Sequence, residues 1–112
     1  MDEPNKIVIL TAPSGAGKTS ITHYLLNRYP ELSFSVSAST REPRDNEKNG
    51  RDYYFISVGE FQRKIKEGAF VEWEMVYEGK YYGTLKSELQ RIWNLKKTPI
   101  LDIDIHLSLI HI

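Results

Sequence analysis

The chain has 112 residues, of which 40% are hydrophobic and 27% are charged, so it is long enough for one cored domain but not for two. Fifteen Lys and Arg residues balance fifteen Asp and Glu residues, which excludes a global charge that would attract nucleic acid or an acidic membrane. The absence of cysteine excludes disulfides and thiolate zinc ligands. No apolar run reaches the roughly 18 residues of a membrane helix, and the N-terminus lacks the basic start of a secretory signal. These features predict a soluble, cytoplasmic protein.

The first third of the chain has the pattern of a strand, a loop and a helix. Residues 7–10 form a continuous apolar run, which is typical of a strand buried on both faces. Ile21, Tyr24 and Leu25 then share one face at helical spacing, and Pro30 ends this helix. The pattern indicates the start of an α/β core.

The middle of the chain predicts a second strand, a polar excursion and a short helix. Residues 33–37 alternate polar and apolar side chains, as a strand does. Residues 38–54 are polar and have no helical period. Ser57 is a capping residue for a helix that Gly68 ends. Alternation over residues 69–83 predicts a β-hairpin.

The last third predicts another helix and a third core strand. Leu85, Leu89 and Ile92 mark the helix, and residues 99–105 form an apolar run that contains two aspartates. Strands joined by helical crossovers are typical of an α/β fold with a parallel sheet. We interpret the polar middle segment as an insertion in that core.

Residues 12–19 match the P-loop pattern G-x-x-x-x-G-K-[ST], except that Ala12 replaces the first glycine. The two remaining glycines let backbone N–H groups converge on phosphate oxygens at a helix N-terminus. Lys18 can neutralise the β- and γ-phosphates, and the Thr19 hydroxyl can ligate Mg²⁺. A glycine-rich turn with an incidental lysine is the alternative interpretation. The predicted nucleotide-binding residues are Ala12, Pro13, Ser14, Gly15, Ala16, Gly17, Lys18 and Thr19.

Arg41 and Arg44 lie three residues apart in the polar segment, with Tyr53 nearby. A guanidinium group offers parallel donors that suit a phosphate, and a tyrosine hydroxyl can add another. As a pattern alone, this cluster is equally consistent with a solvated polar loop.

Four stretches resemble the guanylate kinase family in order and spacing, downstream of the P-loop pattern. They are SVSASTREPR at 35–44, NGRDYYF at 49–55, FVEWEMVYEGKYYGT at 70–84 and ILDID at 100–104. The resemblance covers roughly residues 6–105. It implies a P-loop NTPase three-layer α/β fold with a parallel sheet and an inserted mixed-β GMP-binding region. It also implies transfer of the γ-phosphoryl group of ATP to GMP, which gives ADP and GDP with the help of Mg²⁺.

The resemblance implies a role for each matching side chain. A carboxylate such as Glu72 can accept the N1–H and N2–H₂ donors of guanine together, and adenine offers no such pair. Asp102 resembles the strand-end aspartate that holds Mg²⁺, together with Thr19. The implied catalytic residues are Lys18, Arg41 and Arg44. The implied GMP-binding residues are Arg41, Arg44, Tyr53 and Tyr82 for the phosphate and Ser37, Glu72, Thr84 and Asp104 for the guanine.

We predict four segments from this resemblance. They are a first part of the P-loop core at 1–35, a GMP-binding insertion at 36–87, a core helix and strand at 88–106, and a non-native tail at 107–112. The tail reads LSLIHI and is similar to a translated transposon adapter, with a native β-strand as the alternative. Family members continue beyond this point with more core and an arginine-bearing lid. We therefore expect a core that is incomplete at the C-terminus and little activity from this chain alone.

Two other functions are compatible with parts of the pattern. A related P-loop kinase could act on a sugar phosphate, but its acceptor pocket would lack Ser37, Glu72 and Thr84. A guanylate-kinase-like module could instead bind a phosphopeptide, but such modules typically lose the nucleotide loop that is present at residues 12–19.

Overall fold

The computed structural model describes residues 6–10, 18–77, 79–102 and 109–110. The chain forms two compact units, one of residues 1–35 with 89–106 and one of residues 36–88 with 107–112. Within the described residues, no helix combines the length and the apolar character needed to cross a membrane.

The described chain contains eight strands and three helices. In chain order they are β1 (Val8–Leu10), α1 (Lys18–Arg28), β2 (Leu32–Phe34), β3 (Ala38–Ser39), β4 (Tyr54–Phe55), α2 (Val58–Lys66), β5 (Phe70–Tyr77), β6 (Lys80–Leu85), α3 (Lys86–Asn94), β7 (Thr98–Asp102) and β8 (Leu109–Ile110).

The first unit contains a parallel three-stranded sheet in the order β1-β7-β2. β7 is the central strand, and its Ile100 and Leu101 side chains are almost fully buried because the strand has neighbours on both sides. The prediction of a third parallel core strand is confirmed for the part that ends at Asp102. Residues 103–105 of that prediction lie outside the described residues.

The predicted second strand at 33–37 was placed too far along the chain. β2 ends at Phe34, and the next strand, β3, starts only at Ala38 in the other unit. Ser35 still donates its N–H to the carbonyl of Ile100 at 3.0 Å. The Val36 N–H instead donates to Glu88 Oε2 at 2.8 Å, so a side chain ends the ladder.

Helix α1 forms where predicted, but a different face is buried. Ile21 and Tyr24 are 46% and 62% exposed, whereas Thr22 is buried. Thr22, Leu25 and Leu26 have the same i, i+3, i+4 spacing as the predicted set, and both leucines are half-buried. Since α1 contacts β2, this second face is the one that packs.

The second unit contains a mixed five-stranded sheet in the order β4-β3-β6-β5-β8. β3 and β4 are parallel, and the other neighbours are antiparallel. One face is apolar, because Phe61 of α2 is fully buried and stacks on Phe70 at 4.3 Å and on Tyr81 at 5.2 Å between ring centroids. β8 falls inside the segment predicted to be a translated adapter, and the origin of that segment stays a prediction.

Helix α2 begins and ends at the residues that the sequence predicts. Ser57 Oγ accepts the Glu60 N–H at 3.1 Å, which satisfies one of the first backbone donors of the helix. Gly68 has a φ of +71°, and its N–H donates to the Ile65 carbonyl. The Ala69 N–H donates to the Lys64 carbonyl at 3.0 Å, so the helix ends in a Schellman motif.

The predicted hairpin of β5 and β6 is confirmed, with a bulge near its start. The register shifts between Phe70 and Glu72, so Phe70 and Trp73 both face the apolar cluster although they are three residues apart. Glu72 consequently points to the opposite face. Leu85 belongs to this hairpin and not to the predicted helix, because it pairs with Phe70 and extends the ladder.

Candidate functional site

The second face of the mixed sheet is polar and yet buried. Glu72 lies opposite Thr84, and Tyr82 lies opposite both Glu74 and Ser39. Residues opposite each other in an antiparallel pair project their side chains to the same face, so these five side chains form one polar surface. We call it the polar face.

Glu72 and Thr84 form a hydrogen-bonded pair on the polar face. The Thr84 hydroxyl donates to Glu72 Oε1 at 2.7 Å, and each residue is only 2% exposed. Buried carboxylates are rare unless they have partners, so the pair fixes the position of the Glu72 carboxylate. The structure therefore brings together two of the residues that the resemblance assigns to guanine.

Gly83 allows the two strands beneath this pair to approach closely. A Cβ atom at this position would lie 2.5 Å from the Glu72 carbonyl oxygen and 2.9 Å from Trp73 Cα. Both atoms belong to the backbone and cannot rotate away. The glycine is required by this contact, although its φ is not in the left-handed region.

Glu74 is a member of the polar face that the sequence prediction missed. It is 3% exposed, and neither of its carboxylate oxygens has a hydrogen-bond partner within the described residues. Its position two residues after Glu72 in an alternating strand is a signal that could have indicated a shared face. Together with Glu72 it makes this face rich in hydrogen-bond acceptors.

Arg41 lies over aromatic rings in the same unit. Its guanidinium carbon is 5.2 Å from the ring centroid of Tyr53 and 5.9 Å from that of Phe55. Its backbone N–H donates to the hydroxyl of Ser39 at 3.2 Å, which connects it to the polar face. The structure thus brings together Arg41 and Tyr53, which the resemblance assigns to the same phosphate.

The acidic partner of Arg41 was not predicted. Glu47 accepts from Arg41 Nη1 at 2.8 Å and from Nη2 at 2.9 Å, and it also accepts the Arg44 N–H at 2.8 Å. The hydrogen bonds from Arg41, and next that from Arg44, lower the pKa of Glu47 from 4.5 to about 2. The same ion pair raises the pKa of Arg41. Glu47 lies six residues after Arg41 in a turn-rich segment, and this spacing matches neither a helix nor a strand period that would have indicated the contact.

Arg44 and Ser37 are placed by backbone contacts. Arg44 has an exposed side chain, and only its N–H is held, by Glu47. The Ser37 carbonyl accepts the Tyr54 N–H at 2.8 Å at the start of the β3 and β4 pairing.

The sequence prediction also missed Glu88. Its Oε1 accepts from the Tyr54 hydroxyl at 2.7 Å, and its Oε2 accepts from the Val36 N–H.

The first unit holds the remaining predicted residues. Asp102 pairs in register with Leu10 at the carboxyl end of the parallel sheet, which places it at the end of the strand beside β1. Lys18 is the first residue of α1 and Thr19 the second, as the P-loop pattern requires. Residues 12–17 and Asp104 lie outside the described residues. In the described ranges, no three His, Asp or Glu side chains form a group that could hold a metal ion.

Comparison with known proteins gives consistent matches. The family model for guanylate kinase matches residues 4–109. A protein of Porphyromonas gingivalis called guanylate kinase is 52% identical over 101 residues, which is 89% of this chain and 54% of that protein. A guanylate kinase of Myxococcus xanthus is 46% identical over 102 residues, which is 91% of this chain and 48% of that protein.

A solved structure has the same fold. The crystal structure of guanylate kinase from Anaplasma phagocytophilum matches with a TM-score of 0.68 and 31% identity, over 90% of this chain and 49% of that one. The chain therefore spans about half the length of the relatives it matches. Since the family model covers nearly all of its residues, the chain belongs to the guanylate kinase family.

Proposed function

We propose that this protein is an ATP-dependent guanylate kinase, which transfers the γ-phosphoryl group of ATP to GMP and releases ADP and GDP. Membership of the family supports the proposal, as do relatives of that name at up to 52% identity. Its soluble composition is that of a cytoplasmic enzyme. The alternatives of a sugar-phosphate kinase and of a phosphopeptide-binding module have no observation in their favour.

The main structural support for the proposal is the buried, hydrogen-bonded pair of Glu72 and Thr84. Guanine presents N1–H and N2–H₂ donors along one edge, and a fixed carboxylate can accept both. The polar face has more acceptors than donors, because Glu74 adds two further oxygens. A ligand that presents donors suits such a face, whereas adenine would leave Glu72 facing a ring nitrogen acceptor.

The phosphate of GMP would bind at the arginine end of the same unit. Arg41 and Tyr53 already lie together there, and Ser39 connects Arg41 to the strand position opposite Tyr82. Arg44 is exposed and can turn toward a phosphate. Guanidinium groups and tyrosine hydroxyls are the donors that phosphates prefer, so Arg41, Arg44, Tyr53 and Tyr82 form the proposed phosphate subsite.

ATP would bind through residues 12–19, with Lys18 at the start of α1 neutralising its terminal phosphates. Asp102 fits a role in holding Mg²⁺, because it supplies a carboxylate at the end of the strand beside β1. A single carboxylate is consistent with Mg²⁺, which takes most of its other ligands from water and phosphates. When bound, Mg²⁺ neutralises charge on the phosphate oxygens. Lys18, Arg41 and Arg44 neutralise the remaining negative charge on the phosphates. The main contribution of the protein is to position the two nucleotides.

The proposal is tested by calorimetric binding of GMP and AMP to the purified chain. We expect GMP to bind at least about 100-fold more tightly than AMP, because only guanine satisfies Glu72. Glu72→Gln should lose roughly 10- to 100-fold in GMP affinity, since one acceptor becomes a donor. Glu60→Gln, in the first turn of α2 with a side chain that is 40% exposed, is the matched control and should change neither affinity.

Phosphoryl transfer is followed as GMP-dependent formation of ADP from ATP. Equal affinity for GMP and AMP, or ADP formation with AMP but not with GMP, would contradict the proposed function.

A further inference from the structure

We infer that Glu47 is a positioning residue for the acceptor phosphate, acting through Arg41. The inference rests on the proposed function and concerns a residue that the resemblance does not assign. We do not propose that Glu47 contacts GMP itself. It contacts two proposed phosphate-binding residues, the side chain of Arg41 and the backbone of Arg44.

The hydrogen bonds of Arg41 divide its five donors into two groups. Both Nη1 hydrogens are used, one by Glu47 and one by the Glu42 carbonyl at 3.1 Å. One Nη2 hydrogen is used by the second oxygen of Glu47. The Nε–H and the other Nη2–H are used by neither Glu47 nor Glu42, and the side chain of Tyr53 is a further hydrogen-bond partner of the guanidinium. These two donors lie parallel on one edge of the planar guanidinium, the geometry that binds two phosphate oxygens.

The aromatic rings of Tyr53 and Phe55 limit the tilt of the Arg41 guanidinium. The guanidinium carbon of Arg41 lies 5.2 Å from the ring centroid of Tyr53 and 5.9 Å from that of Phe55. The two rings are themselves in contact, with centroids 5.6 Å apart. A bidentate carboxylate fixes the orientation of the guanidinium in its plane, and the rings limit its tilt. Glu47 therefore selects which edge of Arg41 remains available.

An opposing role is chemically possible and gives the opposite result. A carboxylate that occupied the phosphate-binding edge would compete with GMP, and its removal would strengthen binding. The contacts favour positioning, because Glu47 takes the Nη1 and Nη2 edge and leaves the Nε edge. The distinction can be measured.

The experiment compares the binding of GMP and guanosine to the chain by calorimetry, before and after Glu47→Gln. Gln cannot accept from both guanidinium nitrogens, so we expect GMP affinity to fall about 10-fold while guanosine affinity stays within about 2-fold. Glu47→Asp retains the charge on a shorter side chain and should recover part of the loss. Asp52→Asn is the matched control, since Asp52 is a nearby carboxylate that pairs with Arg51, and it should leave both affinities unchanged.

A double-mutant cycle identifies the route of the effect. With Arg41→Ala already present, Glu47→Gln should cause no further loss of GMP affinity, because Glu47 acts through that arginine. Equal losses for GMP and guanosine would show a structural role and overturn the inference, as would tighter or unchanged GMP binding. A parent chain that bound GMP no better than AMP would refute the proposed function, and this inference with it.

Discussion

The two sheets of the protein bury their strands in different ways. In the parallel sheet, the three middle residues of β7 are apolar and buried, and a carboxylate appears only at the end of the strand, at Asp102. In the mixed sheet, one face packs on Phe61, and the other holds Glu72, Glu74 and Thr84 at 2–3% exposure. A sheet that only supported a fold would not bury two carboxylates, because desolvating them costs free energy. The difference supports the proposal that the mixed sheet binds the acceptor nucleotide.

The largest expected effect is a loss of stability when the buried carboxylate of Glu88 is removed. Glu88 has a structural role, unlike the carboxylates of the proposed ligand site. Glu88→Ala would leave the Val36 N–H and the Tyr54 hydroxyl without their acceptor, at a cost of roughly 3–5 kcal/mol in the free energy of unfolding. Denaturant titration measures it. Gln90→Ala, an exposed change on the same helix, is the control and should stay within about 0.5 kcal/mol. Equal effects of the two changes would show that Glu88 does not hold the unit together.

A pair of glycine substitutions sharpens the comparison further, because their effects have opposite signs. Gly83→Ala would force a Cβ atom against the β5 backbone and should destabilise the chain by roughly 1–3 kcal/mol. Gly59→Ala places a Cβ atom on α2 with nothing within 4 Å, and should stabilise by about 0.5–1 kcal/mol through helix propensity. Thermal unfolding of both variants checks the prediction. A tolerated alanine at position 83 would contradict the close strand approach beneath Glu72.

The smallest effect concerns the acidic partner of Arg41. The pKa of Glu47 is lowered to about 2, so its ion pair contributes to stability fully above the ordinary value of 4.5 and loses that contribution as the pH falls toward 2. An NMR titration of the side-chain carboxyl should therefore show a midpoint near 2. Arg41→Ala should move the midpoint up toward 4.5. Asp52, whose pKa is lowered first by the Lys48 N–H, should barely respond, and a Glu47 midpoint insensitive to Arg41 would contradict the pairing.

The sequence predicted the elements well where the signal is local. Ser57 and Gly68 delimit α2 because caps depend on a few adjacent backbone groups. The hairpin follows from alternation, which needs no distant partner. The end of β2 could not be predicted, because the Val36 N–H is taken by Glu88, 52 residues away.

The residues of the candidate site show the same difference between those that the sequence predicted and those that it did not. Family resemblance identified Glu72, Thr84, Arg41 and Tyr53, and the structure places each pair in contact, while their roles stay predictions. Glu47 and Glu74 were missed, because their importance depends on what lies across the fold.

The sequence by itself determined the family, the α/β pattern and the chemical types available for binding phosphate and guanine, since motif spacing and periodicity are properties of neighbouring residues. Only the tertiary structure decided which side chains are buried and which charges meet. The bulge after Phe70 turns Glu72 to the polar face, and the chain path brings Glu47 to Arg41. Both depend on register and on long-range packing, which a linear pattern does not contain.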